Sequence, residues 1–253
     1  MKLPQPLYTV YERSLISAIP AEKLPQHIGV LVDGNRRWAA LLGESTKHGH
    51  EAGAARIIEF LGWCTELKIP MVTLYMLSTE NLKRSSDELN DLVEVIEGFV
   101  ERLTASGLAR VRPVGQLESL PASLRSAFEA AVEETAAVSG LQVNIAVGYG
   151  GRQEITDAVR GLLREAAASG RSLEELASSL TSNDISRHLY TSGMPDPDLL
   201  IRTSGEQRLS GFMTWQSAYS EFYFCEALWP DFRRVDFLRA LRDYAQRQRR
   251  FGS

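Results

Sequence analysis

The chain reads as a single α/β domain built on a mostly parallel sheet. Short apolar runs of strand length alternate with longer stretches of helical spacing along its 253 residues. Runs such as HIGVLV at 27–32 and MVTLYML at 71–77 are apolar throughout, as strands covered on both faces are. No internal repeat, low-complexity tract or long linker divides the chain. The domain therefore spans 1–253, with an N-terminal extension at 1–24 and a C-terminal helix and tail at 235–253.

The elements follow in order. The run at 27–32 is bounded by Pro25 and by Asp33-Gly34-Asn35, which marks a buried strand ending in a turn. Between 49 and 67, Ala52, Ala55, Ile58 and Leu61 or Trp63 recur at roughly helical spacing. The second strand lies at 71–77. Ser86, Asp87 and Glu88 then open a helix with Leu89, Leu92, Val93, Ile96 and Phe99 on one face. A third strand at 110–114 precedes a helix from Pro121 to Val138, closed by Gly140. The run LQVNIAV at 141–147 is the clearest strand. A turn at 148–151 leads to a helix at 153–168, and short helices are expected at 173–180 and 184–190. Strands at 199–201 and 222–225 and a terminal helix at 235–249 complete the pattern.

Composition narrows the function. With 44% hydrophobic residues the chain can bury a full core, and a formal net charge of −4 argues against a non-specific nucleic-acid binder. Cys64 and Cys225 sit in apolar runs and read as buried free thiols of a reducing compartment, and no Cys/His spacing resembles a zinc site. The start, MKLPQPLYTVYERSL, has two prolines and no apolar core of a signal peptide. No stretch approaches the ~20 apolar residues of a membrane span. A cytoplasmic protein is expected, with peripheral membrane contact left open.

In parallel sheets, ligands bind at the carboxyl ends of strands. That rule selects 33–38, 78–84, 148–152 and 202–210, all of them polar. In the first, Gly34 lets the backbone approach a ligand. Arg36 and Arg37 beside a helix start suit a diphosphate, and Asp33 suits Mg²⁺. The same string also suits a turn followed by solvated arginines. His50, after Gly49, can donate to phosphate. Ser78 and Asn81 could orient a diphosphate or relay a proton, with Arg84 as a further anion donor, or they could simply cap the next helix. Arg202, Arg208 and Ser210 flank Gly205 in a loop suited to a second diphosphate. Glu221, just before Phe222, Tyr223 and Phe224, is either a metal ligand or a charge guarding a strand edge.

Together these strings resemble the cis-prenyltransferase, or undecaprenyl diphosphate synthase, family. The resemblance runs from His27 to Gly252 through HIGVLVDGNRRWA, GHEAG, TLYMLSTENLKR, NIAVGYGGRQEI, PDLLIRTSGEQRLSGFMTWQSAYSEFYF and LWPDF. It implies a six-stranded sheet surrounded by helices, with an apolar tunnel, and a Mg²⁺-dependent condensation of isopentenyl diphosphate with an allylic diphosphate. It implies that Asp33 holds Mg²⁺ with Glu221 completing the metal region. Gly34, Asn35, Arg36, Arg37, Trp38 and His50 then bind the allylic diphosphate, and Arg202, Arg208 and Ser210 bind isopentenyl diphosphate. Ser78, Asn81 and Arg84 orient the substrates and assist proton loss. The proton acceptor stays open among Asp33, Asn81 acting through water, and a phosphate oxygen. A homodimer is also implied, in which Arg250-Phe251-Gly252 reaches the partner's site.

Three departures stand out: Thr46 where relatives often carry Arg, with Lys47 or His48 to supply the charge; Leu82 where many have Trp; and Met76 where long-chain members have a small residue. Strand alternation places Met76 with Leu74 and Ser78, so Met76 is expected to shorten the tunnel. That favours a short product such as Z,E-farnesyl diphosphate over decaprenyl or undecaprenyl diphosphate. A non-catalytic, polyprenyl-binding partner subunit would lack the Asp-Gly-Asn-Arg string or the paired-Arg loop, and this chain keeps both.

Overall fold

The computed structural model describes residues 5–83 and 85–247. Six strands form one sheet: β1 (His27–Leu31), β2 (Met71–Ser78), β3 (Ala109–Val114), β4 (Leu141–Tyr149), β5 (Leu199–Arg202) and β6 (Glu221–Phe224). Their order is β3-β4-β2-β1-β5-β6, and every pairing is parallel. Around the sheet lie α1 (Gln5–Ser17), α2 (Asn35–Leu42), α3 (Thr46–Glu66), α4 (Ser86–Ser106), α5 (Ala122–Glu134), α6 (Gly151–Ala168), α7 (Leu173–Ser179), α8 (Ser182–Ser186) and α9 (Arg234–Gln246).

Most of the expected elements lie within a few residues of their expected bounds. Two were not foreseen. Helix α2 is hidden inside the Asp-Gly-Asn-Arg-Arg-Trp string, and α1 occupies the N-terminal extension. Leu15 of α1 packs on Val235 and Leu238 of α9, which fastens the extension to the domain. Helix α3 starts earlier than its apolar spacing suggests, because the Ser45 hydroxyl accepts from the His48 N–H and caps it.

The two faces of the sheet are unequal. One carries the main core, where Val30, Val72 and Leu74 meet Ile57, Phe60, Ile96, Phe99 and Phe237 from α3, α4 and α9. The other carries a smaller cluster of Leu31, Tyr149, Leu200, Phe212 and Met213. Strand β1 pairs with β2 on one side and β5 on the other. Chain order therefore reverses beside β1, and a crevice opens at the carboxyl ends of β1 and β5. Cys64 is buried, Cys225 is half-buried, and both are free. No described helix is long and apolar enough to cross a membrane.

Candidate active site

The crevice is built around an ion pair between residues 169 positions apart: Arg202 Nη2 donates to Asp33 Oδ2 at 2.8 Å. Arg202 ends β5 and is 5% exposed. Its Nη1 donates to Ser210 Oγ at 2.9 Å and to the Arg208 carbonyl, while its Nε has no partner. Thr203 holds the Asp33 backbone in place, its hydroxyl accepting from the Asp33 N–H at 3.1 Å and donating to the Asp33 carbonyl at 2.7 Å. Burial by itself raises the Asp33 carboxyl. The Arg202 guanidinium, with Arg37 farther off, outweighs that and holds it below the usual carboxylate range. Asp33 is thus an ionised oxygen donor with its side chain still 38% exposed.

Gly34 turns the chain from β1 into α2 at φ +108°, and a Cβ there would lie 2.9 Å from Leu228 Cδ2. Asn35, Arg36 and Arg37 follow in the first turn of α2. Helix α3 comes close to this turn through glycines one turn apart. A Cβ on Gly49 would lie 2.4 Å from the Asn35 carbonyl oxygen, and one on Gly53 would lie 2.3 Å from Asn35 Oδ1. Asn35 Nδ2 donates to the Val32 carbonyl at 3.2 Å, and its Oδ1 is buried without a partner. Arg37 donates to the Ser204 carbonyl at 3.2 Å and lies 3.9 Å from Glu206, which also pairs with Arg208. Arg36 lies 3.8 Å from Glu88, at the start of α4.

These groups form the charged mouth of a pocket of about 580 Å³, a size that suits a small ligand. His50, Ser78, Glu80, Asn81 and Ser210 also line it. The rest of the wall is largely apolar: Ala54 and Ile57 from α3, Met76 from β2, and Leu92, Val95 and Ile96 from α4. Ser78 and Asn81 close the end of β2 reciprocally, the Ser78 N–H donating to Asn81 Oδ1 at 3.0 Å and the Asn81 N–H to Ser78 Oγ at 3.1 Å. The pairing of β2 with β4 shifts register twice between Tyr75 and Ser78. Strict alternation therefore fails there, and Leu77 joins Leu74 and Met76 on the main-core face. Met76 and Ser78 nonetheless share the pocket wall.

Several residues selected from the sequence lie elsewhere. Trp38 is not among the lining residues, and its ring stacks on His48 at 5.9 Å between centroids. Lys47 is held by Glu94 at 2.7 Å, so neither Lys47 nor His48 supplies the mouth with the charge that Thr46 lacks. Arg208 is exposed outside the pocket lining, against Glu206. Glu221 stands at the amino end of β6, in register with Leu199, and accepts from Arg247 at 2.7 Å. Within the chain it does not join Asp33, because parallel strands put their first and last residues at opposite edges of a sheet. Arg84 and Arg250-Phe251-Gly252 lie outside the described residues. The loop at 148–152 is not among the pocket's lining residues and meets 211–214 instead: the Gly151 N–H donates to the Gly211 carbonyl at 2.8 Å.

Sequence reasoning took Thr203, Glu80 and Gly53 only as members of longer strings, and did not foresee that Thr203 holds the Asp33 backbone or that Gly53 lets α3 approach Asn35. For α3 it chose the stripe of Ala52, Ala55 and Ile58, whereas Ala54 and Ile57 line the pocket; on α4 it found the apolar face of Leu92 and Ile96 but could not tell pocket wall from core, which share the same helical spacing.

The prenyltransferase family model for undecaprenyl diphosphate synthase matches residues 31–252. The chain is 59% identical to a (2Z,6E)-farnesyl diphosphate synthase of Thermobifida fusca, over 98% of this chain and 97% of that one. It is 54% identical to isoprenyl transferase 1 of Streptomyces avermitilis, over 98% of this chain and 96% of that one. The crystal structure of lavandulyl diphosphate synthase from Lavandula x intermedia, in complex with dimethylallyl diphosphate, superimposes with a TM-score of 0.86 at 32% identity, covering 92% of this chain and 100% of that one. A parallel sheet with a charged pocket at its carboxyl edge and this similarity along nearly the whole sequence lead to one conclusion: the chain belongs to the undecaprenyl diphosphate synthase family of cis-prenyltransferases.

Proposed function

We propose that this enzyme joins isopentenyl diphosphate to a short allylic diphosphate, leaving a Z double bond, and that it stops at a short product such as (2Z,6E)-farnesyl diphosphate. One observation carries the reading: one pocket is lined both by Asp33, Arg36, Arg37 and Arg202 and by Ala54, Ile57, Met76, Leu92, Val95 and Ile96. That polarity matches a prenyl diphosphate, which has one highly charged end and one apolar end.

In this reading the first turn of α2, with His50, takes the allylic diphosphate. Arg202 and Ser210 in the pocket wall take isopentenyl diphosphate, Arg208 adds its charge from outside that wall, and Ser78 and Asn81 orient the two. Two diphosphates bring roughly six negative charges together, which several arginines and a divalent cation must offset. Mg²⁺ fits Asp33: the carboxylate is ionised and open, and Mg²⁺ commonly takes one or two carboxylates, with phosphate and water completing its shell. Among the described residues no cluster of three His, Cys, Asp or Glu forms a dedicated cage. A cation held there by Asp33 would supply positive charge to offset that of a departing diphosphate. Glu221 is left out of its own chain's metal set. The prenyl tail lies along the apolar wall. Each added isoprene gains burial at ~0.8 kcal/mol per CH₂ while space remains, and Met76 limits that space.

We also infer a cytoplasmic homodimer. The free thiols suit a reducing compartment, and edge strand β6 leaves Tyr219 and Phe224 exposed beside it.

The test is to incubate the purified protein with Mg²⁺, isopentenyl diphosphate and, separately, dimethylallyl, geranyl and farnesyl diphosphate, then resolve products by length and double-bond geometry. A single short Z product that lengthens by at least about one isoprene in Met76→Ala supports the reading. Long polyprenyl products from the unmodified protein overturn the short-product assignment, and all-E products overturn the stereochemical one.

A further inference from the structure

The loop that presents Ser210 to Arg202 is conformationally costly. Ser204, Ser210 and Met213 have φ of +80°, +49° and +47°, and Gly205 and Gly211 also lie in the left-handed region. Non-glycine residues persist there only where surrounding structure imposes it. The restraint comes from below, from a motif to which the chemistry assigns no part.

Glu154, in the first turn of α6, is fully buried, as is Tyr149, and Gln216 is 2% exposed. Tyr149 donates to Glu154 Oε2 at 2.5 Å. Gln216 Nε2 donates to Glu154 Oε1 at 3.0 Å and to Thr191 Oγ1 at 2.7 Å. Gln216 begins the turn that directly follows the strained loop. The loop itself is pinned as well. The Gly151 N–H donates to the Gly211 carbonyl at 2.8 Å, and a Cβ on Gly151 would lie 2.3 Å from Thr214 Oγ1. Phe212 stacks on Tyr75 at 4.8 Å and meets the Tyr149 ring edge-on at 6.1 Å. Burying a carboxylate is unfavourable, and a purely structural contact could be made by apolar groups at no such cost.

We propose that Glu154 is a positioning residue for the second diphosphate subsite: by gripping Gln216 and Tyr149 it holds 208–213 in the shape that sets Ser210 Oγ against Arg202. It touches no substrate and acts through Ser210 and Arg202. The inference rests on the assignment of that loop to isopentenyl diphosphate.

The test uses Glu154→Gln, which keeps volume but replaces an acceptor oxygen by an amide donor. Amide hydrogen exchange at 209–213 is expected to speed up at least about tenfold, with β4 and the second half of α6 unchanged. KM for isopentenyl diphosphate is expected to rise about tenfold, with the allylic KM within about threefold. Unchanged exchange at 209–213 overturns the proposal. So does a uniform rise across the domain, or an equal rise in both KM values, because either marks a merely structural role. The exchange measurement decides even if the protein proves to make no prenyl product, so failure of the functional reading stays distinguishable. If Glu154→Gln does not fold, Gln216→Leu removes the donor to the same carboxylate while leaving the Tyr149 contact with Met213, and the same exchange criterion applies.

Discussion

Two buried polar clusters occupy opposite ends of the same sheet, and they are satisfied very differently. At the amino ends, His27 Nδ1 lies 2.8 Å from the Pro195 carbonyl and Nε2 lies 2.7 Å from Thr73 Oγ1. The carbonyl can only accept, so Nδ1 carries the proton and the Thr73 hydroxyl donates to Nε2. Thr73 accepts from Asn144 at 3.0 Å, and Asn144 accepts from Gln142 at 2.8 Å. Every member of this chain has a partner. At the carboxyl ends, Arg202 Nε and Asn35 Oδ1 have no partner and Asp33 is open to the pocket. Buried polar groups in folded proteins are nearly always paired. The closed cluster therefore reads as scaffold, and the open one as a site whose bonds a ligand completes.

The largest expected effect breaks the open cluster. Asp33→Asn leaves Arg202 buried beside a neutral amide and removes the carboxylate proposed for Mg²⁺, so kcat/KM is expected to fall about 10³-fold. Activity within tenfold of the unmodified protein would falsify the reading of this cluster as the reacting site. Arg202→Lys keeps the charge but loses the fork that reaches Asp33 and Ser210 together. A loss of about 10–100-fold is expected, mostly in KM for isopentenyl diphosphate and measured by steady-state kinetics. Gly53→Ala drives a Cβ to 2.3 Å from Asn35 Oδ1 and must displace Asn35 or α3. About a tenfold rise in the allylic KM is expected, and an unchanged KM would remove Asn35 from the subsite.

The smallest effect concerns the closed cluster and shows in stability, not turnover. Burial holds His27 below the ordinary imidazole range and keeps it neutral in the fold. The unfolded chain protonates this residue near pH 6.5 while the fold does not. Stability is therefore full above that pH and declines as the pH drops below it. Thermal melting from about pH 7.5 to 5.5 should show the decline, and His27→Gln should flatten it. An identical slope in the variant would mean that another group dominates.

Much of this was legible in the residues. Strands such as β2 and β4 announce themselves as unbroken apolar runs, and the strand-end rule reached Asp33 and Arg202 before any geometry was known. Helix α2 was not legible, because its first turn carries Asn35, Arg36 and Arg37 and looks like a binding loop. Trp38 lies next to those residues in sequence but leaves the pocket, since a helix turns each successive side chain by about 100°. Glu221 shows the same gap at larger scale. It lies near the paired-arginine loop in sequence, yet stands at the other edge of the sheet.

The sequence by itself determined the alternation of strands and helices, the glycines where the backbone turns or is approached, and the charged strings that follow β1 and β5. Only the tertiary structure decided that β1 lies between β2 and β5, that Asp33 therefore meets Arg202, and that Ile57 and Ile96 of the core also line a pocket. The physical reason is range. Propensity, periodicity and turn chemistry act over a few residues, whereas strand order and cavity walls arise from pairings such as His27 with Met71 and Ile28 with Leu199, far apart in the chain.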